Sequence, residues 1–521
     1  MFFGDDLIEK EIINIIYLLV VAISASIIVK RIRFHYTIAL ILVGLAISVM
    51  QIPIEVEFNP EVLMLIFLPA LIFEGAYHMD FQEFKRNIKP VWTLAIFGVL
   101  ISTAVVGLLL NRFLGMPLAV ALLFGAIISP TDPISVLAIF KKFGAPKRLS
   151  TIIEGESMFN DGVGIVLFTV MLGLISTGTF SLASGIISFL TVVFGGVILG
   201  GIIGFAGIEV MKRADDHLID LLITIIVAYG GFVLGESLHV SGIITIAMAG
   251  LIIGGNKAKI IRPSGQLAIF TFWEFAAFII NSFVFLLIGL KLNPSMILAN
   301  LHIILYVSLM VLAARFLSVY LISGFLNRLG DNISRKWRFV ISLSGLRGTI
   351  PIALVLGLPA TFSHLDFFVS IVFGVVAFSL VVMGLCLGPI MGKLKLRKRT
   401  EKEFRYEMDI GSIIGYKKGI DELDRLFNSG RISKKIYDKI RKSYTEKIEG
   451  IEEDANKLFV SEGRISEIQR LVISRDLLIA RKSAIKDAEI KGLISAKVAD
   501  QLMSEIDQKL VDIDIELEEK M

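Results

Sequence analysis

The core of a bilayer offers a polypeptide no water, so a chain with many apolar runs of about 20 residues must cross it as helices that satisfy their own backbone groups. Such runs recur here at approximately 11–29, 36–50, 60–78, 91–110, 116–140, 150–175, 182–210, 218–236, 239–254, 266–290, 297–326, 339–357 and 366–391. At ~20 residues per span they make about 13 membrane helices. Hydrophobic residues are 55% of the chain and the mean hydropathy is +0.78, well above an average soluble domain. The fold class expected is an all-α polytopic membrane protein.

The loops test the count, because lysine and arginine in short loops collect on the cytoplasmic side. One set of loops carries Lys30, Arg31 and Arg33, then Lys85, Arg86 and Lys89, then Lys141, Lys142, Lys147 and Arg148. The same set continues with Lys212 and Arg213, Lys257, Lys259 and Arg262, and Arg328, Arg335, Lys336 and Arg338, whereas the opposite set holds only Arg112 and Lys291. An odd number of spans then puts the acidic start (Asp5, Asp6, Glu9, Glu11) outside and the basic exit, Lys393 to Arg399, inside a cell membrane. That acidic start lacks the basic region of a cleaved signal, so the first run is expected to stay as a membrane helix. The single cysteine, Cys386, excludes an internal disulfide framework, and no cysteine–histidine cluster has zinc-ligand spacing.

From about Arg399 the composition turns charged and amphipathic, which divides the chain into a membrane domain, 1–398, and a helical cytoplasmic domain, 399–521. The tail contains an echo: Asn428 to Ile440 and Ile490 to Leu502 share a Gly-x-Ile-Ser turn. There Gly430 or Gly492 ends one helix and Ser433 or Ser495 can cap the next. Packing of helical hairpins accounts for it.

Two apolar runs are broken. Segment five contains Ser129-Pro130-Thr131-Asp132-Pro133, and segment twelve contains Gly345-Leu346-Arg347-Gly348-Thr349-Ile350-Pro351. If segments one to six and eight to thirteen are two inverted six-helix repeats, these crossing discontinuous helices occupy matching positions. Such a pair points to a transporter's binding site at the midplane.

Charge inside the apolar runs concentrates in Glu154-Gly155-Glu156-Ser157-Met158-Phe159-Asn160-Asp161. At 1.5 Å per residue, Asp161 lies roughly 17 Å into its helix, near mid-membrane, where an acid costs about 2.5–3.5 kcal/mol on insertion scales and marks an ion or proton path. Helical spacing pairs Ser157 with Asp161 and, on the adjacent face, Glu156 with Asn160. Asp132, also near the middle, can cap the half-helix that follows it and can bind an ion, since the break frees carbonyls such as that of Thr131 for a hard cation. Glu74 lies nearer the cytoplasmic end of segment three, where snorkelling and ion binding explain it equally well. Arg315 is too deep to snorkel and Arg347 ends a half-helix, where a cation suits the dipole. Each needs a counter-charge, and Glu156 is the candidate, with Arg315 preferred over Arg347. Asp161 and Asp132 are left without a permanent cation, a state suited to competition between a proton and a monovalent ion.

With Phe272-Trp273-Glu274, Asn281 and Gly289, these motifs together resemble the monovalent cation/proton antiporters, which include archaeal and bacterial sodium/proton antiporters and eukaryotic sodium/hydrogen exchangers. The resemblance spans about 11–392. It implies a cation site of Asp161, Asp132, Ser157, Glu74 and the Thr131 backbone, with Asn160 tying the crossing helices near Thr131. It also implies a homodimer, an elevator-like movement of a core against a dimerisation domain, and, from the Asn160-Asp161 form of the motif, electroneutral one-for-one exchange serving pH homeostasis. Transported Na+, Li+ or K+ and H+ are its ligands, with no cofactor and no nucleic-acid partner. A potassium/proton antiporter and a gated cation channel are the alternative readings. An intramembrane enzyme is not expected, since His-Glu-x-x-His and Gly-x-Gly-Asp are both missing. Glu154 is given no role.

Overall fold

The computed structural model describes residues 16–25, 27, 36–50, 63–177, 182–214, 216–261, 263–291, 294–359, 361–362, 365–394, 401–429, 431–461 and scattered positions from 471 onward. The acidic start, the loop with Lys30, Arg31 and Arg33, Arg262, the exit beyond Leu394, Gly430 and Gly492 lie outside the described residues. Two compact units divide the chain, Met1–Arg397 and Lys398–Met521.

The regular secondary structure of the first unit's described residues is all helix, with no strand. It runs α1 Ile16–Ala25, α2 Tyr36–Val49, α3 Leu68–His78, α4 Phe81–Arg86, α5 Ile88–Leu114, α6 Leu118–Ile128, α7 Ile134–Phe143, α8 Lys147–Thr177, α9 Leu182–Ala214, α10 His217–Ser237, α11 Gly242–Ile260, α12 Pro263–Lys291, α13 Pro294–Ala299, α14 Leu301–Arg328, α15 Arg335–Leu343, α16 Thr349–Leu356 and α17 Leu365–Leu394. Seven of these, α5, α8, α9, α10, α12, α14 and α17, are each long and apolar enough to cross a bilayer; α1, α2, α3, α6 and α11 are shorter apolar helices. On α9, Ile187, Phe194, Ile198, Ile202 and Phe205 are all exposed. Their spacing puts them on one helix face, an apolar stripe suited to lipid rather than water.

The helices pack chiefly in two sets. One comprises α2, α3, α9, α10, α11 and α12; the other comprises α5 to α8 with α14 to α17, and its α8 also touches α3, α9 and α11. In the first set α2 crosses α12 backbone to backbone. A Cβ on Gly289 would lie 2.8 Å from the Gly44 Cα, so only glycine fits there. Trp273 of α12 is buried against Phe73 of α3, ring centroids 4.9 Å apart, and its Nε1 donates to Thr224 Oγ1 at 3.0 Å.

The second unit contains α18 Glu401–Asn428 and α19 Lys434–Ser461, which run antiparallel. Tyr416 meets Tyr444 at 5.2 Å, Phe427 stacks on Tyr437 at 4.4 Å, and the Tyr437 hydroxyl donates to Asp424 at 2.7 Å. Ser433 stands directly before α19.

Candidate functional site

The site begins with two chain breaks that complete each other. Pro130 has no N–H and its ring crowds the carbonyl four residues back, so α6 ends at Ile128 and α7 starts only at Ile134. In the other broken helix, the segment between Leu343 and Thr349 leaves helical geometry around Gly345 and Gly348. The Asp132 N–H donates to the Leu346 carbonyl at 2.7 Å. In return, Arg347 Nη1 donates to the carbonyls of Ser129 and Pro130, at the C-terminal end of α6. A guanidinium suits that negative dipole end. Gly348 makes the crossing possible: a Cβ there would sit 2.5 Å from the Asp132 Cβ.

α8 runs past this crossing and fastens it. The Thr131 N–H donates to Asn160 Oδ1 at 3.2 Å, and Asn160 Nδ2 donates to Thr131 Oγ1 at 2.7 Å. Ser157 Oγ shares a 3.0 Å hydrogen bond with Thr131 Oγ1. Glu156, fully buried, accepts both ends of the Arg315 guanidinium at 2.6 Å each and a third hydrogen bond from Asn160 at 3.2 Å. The ion pair braces α8 against α14, and with its carboxylate charge matched, Glu156 is not available to a mobile ion.

Beside the crossing lies a cavity of about 360 Å³ between the two helix sets. Asp132, Thr131, Glu154, Met158 and Asp161 line it from one set, and Thr37, Glu74, His78, Glu274 and Asn281 from the other. Asp132 Oδ1 accepts the Ile134 N–H at 2.9 Å, capping α7, while its Oδ2 is buried with no hydrogen-bond partner among the described residues. Asp161 Oδ1 is in the same state. Glu74 Oε1 lies 3.0 Å from His78 Nδ1 one turn along α3. Thr37 of α2 and Ser135 of α7 share a 2.8 Å hydrogen bond across the boundary between the sets. Carboxylates, hydroxyls and freed carbonyls facing one cavity are hard oxygen donors, suited to a small cation or a proton.

The family pattern for the transmembrane part of sodium/hydrogen exchangers matches residues 16–393. The chain belongs to the sodium/hydrogen exchanger family. The exchanger is 33% identical over 504 residues to the Na+/H+ antiporter NhaS2 of Synechocystis sp., which covers 96% of this chain and 93% of that one. It is 32% identical to the Na+/H+ antiporter NhaG of Bacillus atrophaeus, covering 95% and 96%. Among solved structures it matches the sodium proton antiporter MjNhaP1 of Methanocaldococcus jannaschii with TM-score 0.62 and 25% identity, over 75% of this chain and all of that one. Its family is one of transporters, not enzymes.

In this exchanger Asp161, Asp132, Thr131 and Glu74 come together at the cavity. Ser157 instead turns onto Thr131, and Arg347 serves the α6 carbonyls, leaving Arg315 to Glu156. Sequence reasoning missed Glu154, which lines the cavity. Its signal was present: 154, 158 and 161 are spaced i, i+4, i+7 and share one helix face. His78, the neighbour of Glu74, was also missed, although it is four residues away on the same helix.

Proposed function

We propose that this protein exchanges a monovalent cation, sodium foremost, for protons across the cell membrane, one for one, with cation and proton competing for Asp161 and Asp132. One observation carries the reading: Asp161 and Asp132 line a common cavity, and Asp161 Oδ1 and Asp132 Oδ2 are buried with no hydrogen-bond partner among the described residues, while nearby Glu156 is matched by Arg315. A carboxylate with no fixed cation beside it accepts a proton or an alkali ion, and each displaces the other. The Thr131 carbonyl and Glu74 supply further oxygens to the bound ion, and Ser157 Oγ does so by exchanging its hydrogen bond to Thr131 for the ion. Asn160 stands where a second carboxylate would make the cycle move net charge. The relatives named as Na+/H+ antiporters support sodium as the cation.

In this reading the chain has thirteen spans in two inverted repeats, the N-terminus outside and the tail in the cytoplasm. It works as a homodimer in which the set carrying the breaks moves against the set carrying α2, α3 and α12. The tail, 399–521, regulates the rate. The test is pH-gradient dissipation in proteoliposomes on adding Na+, Li+ or K+, with membrane potential clamped and unclamped. The expected result is Na+-driven proton flux that ignores the clamp and is abolished in a folded Asp161→Asn variant. Full activity in that variant removes the assignment, activation by K+ alone makes the protein a potassium/proton antiporter, and current without coupled proton flux makes it a channel. Deleting Glu401 to Met521 should change rate or pH dependence.

A further inference from the structure

Asn281 has no place in the ion site described above, yet its position on α12 is unusual. It is 8% exposed, its Oδ1 is buried without a hydrogen-bond partner among the described residues, and it lines the same cavity as Asp132 and Asp161 from the other helix set. A buried amide oxygen left unpaired costs about 1–3 kcal/mol, so its placement in an apolar helix needs a compensating partner. The cavity supplies one when a cation is bound.

The wall that holds Asn281 is tied to α2 at several points. Phe278, one turn earlier, stacks on Tyr36 of α2 with centroids 5.3 Å apart, and the Tyr36 hydroxyl shares a 2.5 Å hydrogen bond with Ser282. Ser282 in turn donates to the Phe278 carbonyl at 2.5 Å. Further along, the Gly44–Gly289 contact locks α12 to α2. An oxygen on such a wall cannot follow ions of different radius, and selectivity among hard cations depends on the rigidity and size of the oxygen cage.

Resting on the reading that Asp161 and Asp132 hold the transported cation, we infer that Asn281 Oδ1 is a further cation ligand. It is supplied by the opposite wall of the cavity, and it tunes which alkali ion the site prefers. The contact exists only while the two helix sets face each other around the cavity, so it adds to cation affinity in that state and releases when the sets shift.

The experiment measures KM for Na+, Li+ and K+ in proteoliposomes for Asn281→Ala and Asn281→Asp, with Na+-dependent thermal stabilisation of the purified proteins as a second readout. Asn281→Ala should raise the Na+ KM by about tenfold, the factor that ~1.4 kcal/mol represents. It should also change the ratio of Na+ to Li+ KM, keep the maximal rate within about twofold, and weaken stabilisation by Na+ to match. Asn281→Asp, which retains an oxygen at that position, should restore the affinity. Wild-type KM values for all three cations in a folded Asn281→Ala overturn the inference, and so does equal loss in both variants, which marks a packing role. If Asn281→Ala does not fold, Asn281→Leu, which keeps the volume and removes the oxygen, takes its place, and wild-type KM values there overturn the inference as well. Retained exchange in Asp161→Asn sinks the proposed site itself; its loss there with unchanged KM values in the Asn281 variants sinks this inference alone.

Discussion

Replacing Arg315 by methionine removes one side of the brace between α8 and α14 and leaves Glu156 with no exposed surface and one side-chain donor, Asn160 at 3.2 Å. Both 2.6 Å guanidinium contacts disappear. Breaking one side of a buried ion pair costs about 3–5 kcal/mol, because the surviving charge is uncompensated. Combining Arg315→Met with Glu156→Gln leaves no ion behind and keeps an amide oxygen for Asn160. That double variant should cost about 1–2 kcal/mol, roughly 2–3 kcal/mol less than Arg315→Met alone. The assay is the melting midpoint of the purified protein in detergent at fixed scan rate, since unfolding of a protein this large is read as a rate as much as an equilibrium. With roughly 2–4 °C per kcal/mol, Arg315→Met should melt ~6–20 °C lower and the double variant ~2–8 °C lower than the parent. A double variant that melts no higher than Arg315→Met refutes the reasoning, because the loss would then come from guanidinium packing and not from a stranded charge.

Gly348→Ala places a Cβ 2.5 Å from that of Asp132, so exchange should fall by an order of magnitude or more as Asp132 is displaced. Gly324→Ala on α14 has open space around the new methyl and should leave exchange intact while adding up to about 1 kcal/mol of stability; equal effects would show that the crossing does not need Gly348. Asp80, between α3 and α4, is pushed up by burial, but the hydrogen bond and charge of Lys147 and two backbone donors outweigh this and hold its carboxyl below the ordinary range. With the folded-state value depressed, its stabilisation is full above about pH 4 and is lost as pH falls through the folded value. Asp80→Asn keeps a capping oxygen on α4, so it should melt below the parent at pH 7 and converge with it only as pH falls below the depressed folded value; a gap that persists into stronger acid would mean that the charge is not responsible.

The helix breaks were legible because Pro130 and Pro133 fall three residues apart and remove two donors from the same turn, whereas the single Pro389 is carried inside α17. Arg315, preferred from the sequence, is the partner of Glu156, but the role of Arg347 was not legible. Arg347 has a partner that sequence spacing does not display, the carbonyl end of α6, which reaches it only because the breaks cross. Ser157 and Asp161 sit one turn apart, and spacing alone gives them a common face, yet the pull of Thr131 on Ser157 leaves the cavity to Glu154, Met158 and Asp161. Periodicity names a face; which of two overlapping faces meets the cavity is decided by the neighbouring helices. Asn281 was visible only as part of a family motif, because an unpaired amide oxygen is a property of the packed wall and not of any one helix.

The crossing of the breaks has a consequence for how the chain is made. The carbonyls of Ser129 and Pro130 wait for Arg347, which is 218 and 217 residues further along. At about 5–20 residues per second of synthesis, the wait is roughly 10–45 s. During that interval the first interrupted helix sits in or beside the membrane with peptide groups that only the second can satisfy. A ribosome-bound chain stopped before Arg335 should therefore remain open to proteases around Pro130 to Pro133, and one extended past Leu356 should close. For this fold the order of manufacture is part of the specification, and a stall late in the message leaves its most polar point unfinished.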